Sequence, residues 1–243
     1  MTATMGNQAS VKMHMENASR TGVFQLKGSN IVDFPKELVN IKDNIRSLDL
    51  SANKLKQIPD VLGSFANIKH LNLGDNKLGT IPSSLGQLSR LETLVLKNNL
   101  LVTLPRTLES LANLRTIDLS GNLFSTIPVQ ILGLKRLEML DLSRNKITEI
   151  PDAIAGLQAS ELNLNQNQIS KIPESIASSP RLKVLRLDEN CLPLAGIPKP
   201  LLTDSSVCVL SLEGNLFEAK DLQSADGYDR YLERFTATKK KLT

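Results

Sequence analysis

Residues 45–59 read IRSLDLSANKLKQIP, and residues 68–82 read IKHLNLGDNKLGTIP. Both stretches fit one frame, L-x-x-L-x-L-x-x-N-x-L-x-x-L-P, in which isoleucine can replace leucine. The frame returns through nearly the whole chain, and its asparagine recurs every 22 to 25 residues, at Asn53, Asn76, Asn99, Asn122, Asn145, Asn167, Asn190 and Asn215. A fixed period of this size is the signature of stacked repeats. The sequence therefore predicts a solenoid made of short, similar turns.

Each position of the frame has a physical role. Polar and apolar residues alternate over residues 47–51, which predicts a short strand with Leu48 and Leu50 facing the core. Pro59 fixes φ and starts a segment in which apolar residues three apart favour a single helical or 3-10 turn. The asparagine lies where the chain turns into the core. Because an amide donates and accepts at once, we expect stacked asparagines to satisfy buried backbone groups of adjacent turns.

The frame is similar to that of the leucine-rich repeat family, and the resemblance covers residues 21–222, about nine turns including degenerate ends. It implies an α/β fold: a curved horseshoe with a parallel β-sheet on the concave side and short helical or 3-10 segments on the convex side. Because no single turn can bury its leucines alone, neighbouring turns must stack.

Both ends of the chain depart from the frame and are predicted to be caps. Residues 1–8 are expected to be a flexible leader and residues 9–20 a capping helix, because Val11, Met15 and Ala18 fall on one helical face. Residues 223–243 are expected to form a C-terminal cap and a basic tail. The aromatic residues there could instead form a ligand cage, but solenoids need end units that cover the exposed core.

The charge of the chain is concentrated in its tail. The formal net charge is +4, and Lys239, Lys240 and Lys241 supply most of it. The repeats are then nearly neutral, so the sequence pI of about 9.0 predicts no nucleic-acid partner. We expect the protein to be a monomer.

Catalytic chemistry has little support in the sequence. The only histidines are His14 and His70, and His70 is expected beside Ser47 and Thr93 on an open face that does not exclude water. No Cys/His spacing suits a metal and no glycine-rich loop suits a phosphate. The sequence predicts a non-enzymatic protein without a cofactor or a metal.

The cysteines and the N-terminus predict a cytoplasmic protein. Cys191 and Cys208 do not form the clusters with which secreted repeat proteins seal their ends, so both are expected to be reduced thiols. Residues 1–10 contain no apolar segment of the kind found in a signal peptide.

A lipid attachment pattern lies near the N-terminus. Residues 5–10 read MGNQAS, which matches the myristoylation pattern M-G-x-x-x-S, with Gly6 as the acceptor. Gly6 has a free amine only if translation starts at Met5 or if residues 1–5 are removed; the alternative is an accidental match. The two ends of the chain resemble one group of leucine-rich repeat proteins that begins directly at M-G-N and is regarded as myristoylated. The resemblance implies a peripheral membrane protein, with the tail lysines as a second, electrostatic signal.

The solvent-facing strand residues are the predicted partner-binding surface on the concave face. Asp118, Asp141 and Glu161 are expected to form an acidic cluster that could receive a basic helix or loop. The alternative is that short polar side chains only keep a curved face soluble. The predicted set comprises Asp49, Asn72, Val95, Asp118, Met139, Asp141, Glu161, Asn163 and Arg186.

These observations favour an intracellular scaffold or adaptor that binds a protein partner on its concave face and is tethered to a membrane by N-myristoylation. The alternative is a regulatory subunit of a signalling enzyme such as a phosphatase, a GTPase or a ubiquitin ligase.

Overall fold

The computed structural model describes residues 13–240, and the chain divides into two compact units, residues 1–123 and residues 124–243. Both units consist of short parallel strands that alternate along the chain with short helices. The predicted repeat solenoid, with parallel strands on one side and short helical segments on the other, is confirmed in each unit.

The described part of the first unit contains one α-helix, five strands and four 3-10 helices. The strands pair in parallel and in chain order, each in register with the next. The bounds are α1 (residues 13–21), β1 (Val23–Gln25), η1 (Lys36–Ile41), β2 (Ser47–Asp49), η2 (Asp60–Ser64), β3 (His70–Asn72), η3 (Ser83–Gln87), β4 (Thr93–Val95), η4 (Arg106–Ser110) and β5 (Thr116–Asp118).

The described part of the second unit contains four strands, which also pair in parallel and in chain order. Its first four helices are 3-10 helices, and its last three are α-helices. The bounds are η5 (Val129–Ile131), β6 (Met139–Asp141), η6 (Asp152–Gly156), β7 (Glu161–Asn163), η7 (Glu174–Ser178), β8 (Val184–Arg186), η8 (Leu194–Gly196), α2 (Lys199–Thr203), β9 (Val209–Ser211), α3 (Ala219–Gln223) and α4 (Tyr228–Lys239).

The core of each unit lies between its strands and its 3-10 helices. In the turn that contains β2, Leu48, Leu50, Leu55 and Leu62 are all buried. The equivalent positions of the other turns are buried as well, except in the turn that contains β9, where Leu210 is half-buried. Each fully buried leucine contributes about 1.5–3 kcal/mol. Ordering all the residues of one turn costs at least as much as its few leucines contribute together, so the stack is stable only collectively.

The asparagine of the frame joins each turn to the one before it. The Asn122 Nδ2 donates to the carbonyl oxygens of Leu119 at 2.9 Å and Leu96 at 3.0 Å, and its Oδ1 accepts the N–H of Leu101 at 3.1 Å. Leu96 and Leu101 belong to the preceding turn. Equivalent bonds are made by Asn53, Asn76 and Asn99 in the first unit and by Asn145, Asn167, Asn190 and Asn215 in the second.

The residue before each of these asparagines has a left-handed backbone. Glycine occupies this position only in some turns, as at Gly121 with φ of 65°. Elsewhere the position holds Asn or Asp, which tolerate positive φ, or residues such as Ala52 and Arg144, for which positive φ costs roughly 1–2 kcal/mol each. The stacked turns impose this conformation on Ala52, Asp75, Asn98, Arg144, Gln166 and Glu189.

The 3-10 helices of neighbouring turns approach closely where glycine follows the buried leucine. A Cβ atom on Gly63 would meet the carbonyl oxygen of Ser84, and a Cβ atom on Gly86 would meet that of Thr107. Only glycine allows this spacing without a shift of the backbone.

Helices cover the described ends of both units. In α1, Ala18 is fully buried, Met15 is half-buried, and Val11 of the predicted capping helix lies outside the described residues. In the second unit α4 packs against the last strand, and the Tyr231 hydroxyl accepts the N–H of Leu210 at 3.1 Å. The Arg234 guanidinium donates to the carbonyl oxygens of Leu202 and Val207 at 2.7 and 3.0 Å.

Candidate functional site

In the first unit, four of the predicted binding residues form one column on the open strand face, meaning the side of the strands opposite the buried leucines. Asp49, Asn72, Val95 and Asp118 are neighbours across β2 to β5 in that order. All four are half-buried. The column therefore presents two carboxylates separated by an amide and an apolar side chain.

In the second unit, the other predicted binding residues form two columns on its own open strand face. Asp141, Asn163 and Arg186 are successive neighbours, and Met139 is the neighbour of Glu161. Asp118 belongs to the first unit, whereas Asp141 and Glu161 lie on the paired strands β6 and β7 of the second unit.

The carboxylates of the open strand face are engaged in local hydrogen bonds. The Asp118 Oδ1 accepts the N–H of Ser120 at 3.0 Å and its hydroxyl at 2.6 Å. The Asp141 Oδ1 accepts both groups of Ser143 at 2.8 and 2.7 Å. These aspartates therefore cap the turn that follows their strand, which is a structural role that aspartate and asparagine share.

Asparagine fills the same position in other turns. The Asn72 Oδ1 accepts the N–H of Gly74, and the Asn163 Oδ1 accepts that of Asn165, both at 3.1 Å. The turn therefore needs an acceptor oxygen and does not need a negative charge.

The charges in the second unit are partly compensated. The Arg186 Nε donates to the Glu161 Oε1 at 3.1 Å, and both side chains are partly exposed. The Asn163 Nδ2 donates to the Asp141 Oδ2 at 3.1 Å. Partly exposed ion pairs contribute little to stability, so this pair is available to exchange its partner.

Apolar side chains accompany these polar columns. Met139 at the start of β6 is 36% exposed, and Val23 at the start of β1 is 42% exposed. Val95 and Val184 are half-buried on the same face of their strands. Methionine is enriched at protein interfaces, in which an apolar centre is surrounded by a polar rim.

The ends of β6 to β9 border a polar recess that the sequence analysis did not identify. Its volume is about 640 Å³, and Asp188 is its most connected residue. Asp188 accepts from the Ser211 hydroxyl at 2.6 Å, the Glu213 N–H at 2.8 Å and the Asn165 amide at 3.1 Å. Asn165, Asp188 and Glu213 each follow the leucine that comes directly after the strand, so the period of the sequence places them in a third column of the same face, although the predicted binding set does not include them.

The geometry around the histidines does not form a catalytic site. The His70 Nδ1 lies 3.2 Å from the Thr93 Oγ1 on an exposed surface, and its ring is not enclosed. Between residues 13 and 240, no group of three or more His, Cys, Asp and Glu side chains is arranged to bind a metal ion.

The predicted membrane attachment involves residues near both ends of the chain. Gly6 and Lys241 lie outside the described residues. Lys239 lies over the Phe235 ring with its Nζ 4.6 Å from the centroid, and Lys240 is exposed. No helix in the described part of the chain has the length and hydropathy needed to cross a bilayer.

Several solved structures are similar to this chain. A leucine-rich repeat protein of Leptospira interrogans is 28% identical with a TM-score of 0.53, and the match covers 82% of this chain and 63% of that one. The plant peptide hormone receptor RGFR1, solved in complex with RGF2, is 30% identical with a TM-score of 0.56, over 75% of this chain and 34% of the receptor. This chain therefore spans less than two thirds of the bacterial protein and about one third of the receptor.

Internalin C2 of Listeria monocytogenes has the same fold, with 23% identity and a TM-score of 0.64 over 79% of this chain and 80% of that one. The sequence profile described as leucine rich repeat matches residues 43–101, 79–124 and 125–169, which together are just over half of the chain. Proteins with this repeat generally mediate protein–protein interaction and are typically not enzymes. The repeating leucine and asparagine geometry and the matching profile agree: the chain belongs to the leucine-rich repeat family.

Proposed function

We propose that this protein is a non-enzymatic scaffold or adaptor that binds a protein partner through its open strand face. The observation that carries the proposal is the exposed Met139 beside the polar column of Asp141 and Asn163. An apolar contact surrounded by exchangeable hydrogen-bonding groups is suited to a protein surface and not to a small substrate. The complex of RGFR1 with RGF2 supports the idea that a repeat array of this kind can receive a peptide.

The charge of the face indicates a basic segment on the partner. Asp141, Glu161, Asp188 and Glu213 contribute four carboxylates to the second unit, and Arg186 contributes one guanidinium. A lysine or an arginine from the partner would replace Arg186 at Glu161 or add a further donor to Asp141. Charge complementarity of this type affects specificity and association rate more than affinity.

Asparagine variants provide the sharpest test of the face. Asp118→Asn and Asp141→Asn, alone and together, remove charge but keep the acceptor for the following turn, as Asn72 and Asn163 do in the native protein. Affinity capture from cells, followed by mass spectrometry, should show a partner of the wild type that these variants lose. Recovery of the same partner in equal amount would exclude the carboxylates as binding groups.

A matched control separates binding from folding. Asp60→Asn removes a carboxylate from η2, on the other side of the first unit, and its side chain is exposed. This control should capture the partner as the wild type does. The melting temperatures of all variants should lie close to that of the wild type, because the turn hydrogen bonds are retained.

We further propose that the protein is cytoplasmic and is tethered to a membrane through an acyl chain on Gly6. The M-G-N of residues 5–7 and the stretch G-Y-D-R-Y-L-E-R-F-T-A-T-K-K-K are similar to the two ends of the group named leucine-rich repeat-containing protein 57, from which the four residues before Met5 depart. Mass spectrometry of the intact cellular protein should detect an acylated Gly6 and should detect none in Gly6→Ala. Absence of an acylated species in the wild type would end this part of the proposal.

Proximity labelling distinguishes the scaffold from a regulatory subunit of an enzyme. A tethered scaffold should lose its membrane-protein neighbours when Gly6 is replaced by alanine. A regulatory subunit should keep one enzyme at a constant ratio in both forms, and that result would contradict the scaffold proposal.

A further inference from the structure

Basic side chains from successive turns of the first unit meet around a single recess, here named the basic pocket. It lies near the starts of β1 to β4 and has a volume of about 450 Å³. Four of its ten lining residues are cationic: Arg20 from the end of α1, Arg46 and Lys69 directly before β2 and β3, and Arg90 three residues before β4. Asp43 is its only lining carboxylate.

Backbone contacts of α1 and the second turn form the base of the basic pocket. The Gly22 N–H donates to the carbonyl oxygen of Ala18 at 2.8 Å, and the carbonyl oxygen of Gly22 accepts the Arg46 N–H at 2.7 Å. Gly22 has φ of +75°, and a Cβ atom there would lie 3.3 Å from the Cγ of Arg46. The aliphatic part of Arg46 therefore lies directly over Gly22, with its exposed guanidinium at the rim.

Arg90 is held in position by a neighbouring amide. Its Nη1 donates to the Asn67 Oδ1 at 2.7 Å, and the Asn67 Nδ2 donates to the carbonyl oxygen of Asp43, also at 2.7 Å. One nitrogen of Arg90 is thus fixed while the others face solvent. Within the described residues, the Arg46 side chain has no hydrogen-bond acceptor and no ion-pair partner. Guanidinium groups presented in this way match the oxygens of a phosphate.

A further carboxylate near the basic pocket, that of Glu92, is paired with one of the lining cations. The Lys69 Nζ lies 2.8 Å from the Glu92 Oε1, and this hydrogen bond lowers the pKa of Glu92 below its ordinary value, with smaller contributions from His70 and Arg115. Arg20, Arg46 and Arg90 therefore outnumber the single carboxylate of Asp43. The region is strongly positive although the chain as a whole carries only +4.

We propose that the basic pocket binds the phosphate groups of an anionic membrane surface. Its cations are all exposed, and residues at the end of α1 line it. The segment that contains Gly6 is covalently continuous with α1, so an acyl chain and the basic pocket belong to the same end of the chain. One acyl chain gives only reversible membrane binding, and basic residues that contact an anionic surface strengthen it. The choice of a membrane over another anion rests on the tether proposed above.

The test uses the full-length chain made without the acyl group, so that only electrostatic binding is measured. Sedimentation with vesicles of phosphatidylcholine, or of equal parts of phosphatidylcholine and phosphatidylserine, gives the two partition coefficients. We expect the wild type to prefer the anionic vesicles. The double variant Arg46→Gln with Arg90→Gln should reduce binding to them by roughly tenfold or more.

The matched control removes two positive charges elsewhere in the same unit. Lys54 and Lys77 follow Asn53 and Asn76, are exposed and do not line the basic pocket. Lys54→Gln with Lys77→Gln should stay within about twofold of the wild type. An equal loss in both double variants would show that only net charge matters and would overturn the site.

Two further outcomes would also overturn the proposal. One is equal binding of the wild type to neutral and anionic vesicles; the other is binding of a phosphorylated peptide without any preference for anionic vesicles. If the double variant does not fold, Arg46→Gln alone carries the test, because that side chain makes no hydrogen bond to lose. Since the chain is not acylated here, failure of the acylation proposal does not affect the result.

Discussion

At the scale of single residues, the stacked asparagines contribute strongly to the stability of the fold. Each satisfies backbone groups of two successive turns that are shielded from water, so its loss exposes buried donors and acceptors without partners. This explains why the frame keeps a polar residue among leucines at a position that is at most 8% exposed in Asn53, Asn76, Asn99 and Asn122.

We expect Asn122→Leu to lower the free energy of unfolding by about 1–3 kcal/mol, because the N–H of Leu101 and the carbonyls of Leu96 and Leu119 lose their partner. Urea-induced unfolding followed by circular dichroism gives the value. Asn40→Leu is the control, because Asn40 is exposed on η1. If both variants unfold at the same urea concentration as the wild type, the amide contributes nothing to the stack.

The sequence predicts some of these residue roles and not others, for a physical reason. The leucine and asparagine positions carry the same residue types in nearly every turn, so the period identifies them. The left-handed residue before the asparagine is equally regular in conformation, but it is Ala52, Arg144 or Glu189 in different turns. Its φ is imposed by the stacked backbone and not by its own side chain. Residue type therefore does not predict it.

At the scale of elements, α4 protects the last strand of the second unit. Leu210 of β9 is only half-buried, in contrast to the fully buried Leu185 at the equivalent position of β8. Tyr231 contributes its ring to this edge, where it stacks on Phe235 with a centroid distance of 6.1 Å. Its hydroxyl accepts the hydrogen bond of the Leu210 N–H, which could otherwise bond to a further strand. An open strand edge promotes aggregation, so α4 prevents pairing with another chain.

Tyr231→Phe should lower the free energy of unfolding by about 1 kcal/mol, because the Leu210 N–H loses its acceptor while the ring remains. The stability that Tyr231→Phe loses relative to the wild type should depend on pH. Burial raises the pKa of Tyr231 above the ordinary value of 10.0, so above that pH the unfolded chain loses this proton before the folded chain does. The wild type then loses stability as the pH rises, and the variant lacks this loss.

Urea unfolding at about pH 8 and about pH 11 measures this effect, and the difference between the wild type and Tyr231→Phe should be smaller at the higher pH. Tyr228→Phe serves as the control, because the Tyr228 hydroxyl makes no hydrogen bond within the described residues. If the difference in the free energy of unfolding between the wild type and Tyr231→Phe stays constant or grows with pH, the assigned direction of the pKa shift is wrong.

At the scale of the whole molecule, the distribution of charge matters more than its sum. A formal charge of +4, assigned mostly to the tail, predicted nearly neutral repeats. The structure instead brings Arg20, Arg46 and Arg90 together from different positions of the frame. The register between turns determines which of these arginines are neighbours. The sequence pattern of a single turn does not give that register. The open strand face was predicted more fully, because its residues alternate with the buried leucines.

Ionic strength should separate the two proposed membrane signals in the whole molecule. Attraction of the basic pocket to anionic lipid is screened by salt, whereas insertion of an acyl chain is not. Raising the salt from about 0.05 M to about 0.5 M should therefore release the non-acylated chain from phosphatidylserine vesicles and leave the acylated chain partly bound. Sedimentation of both forms over this range makes the comparison, with Arg46→Gln plus Arg90→Gln in each. At low salt the substitutions should reduce the binding of both forms by the same factor, because the two signals contribute additively to the binding free energy. At high salt the substitutions should have almost no effect on binding. A substitution effect that persists at high salt would mean that the arginines support the fold and not the contact with lipid.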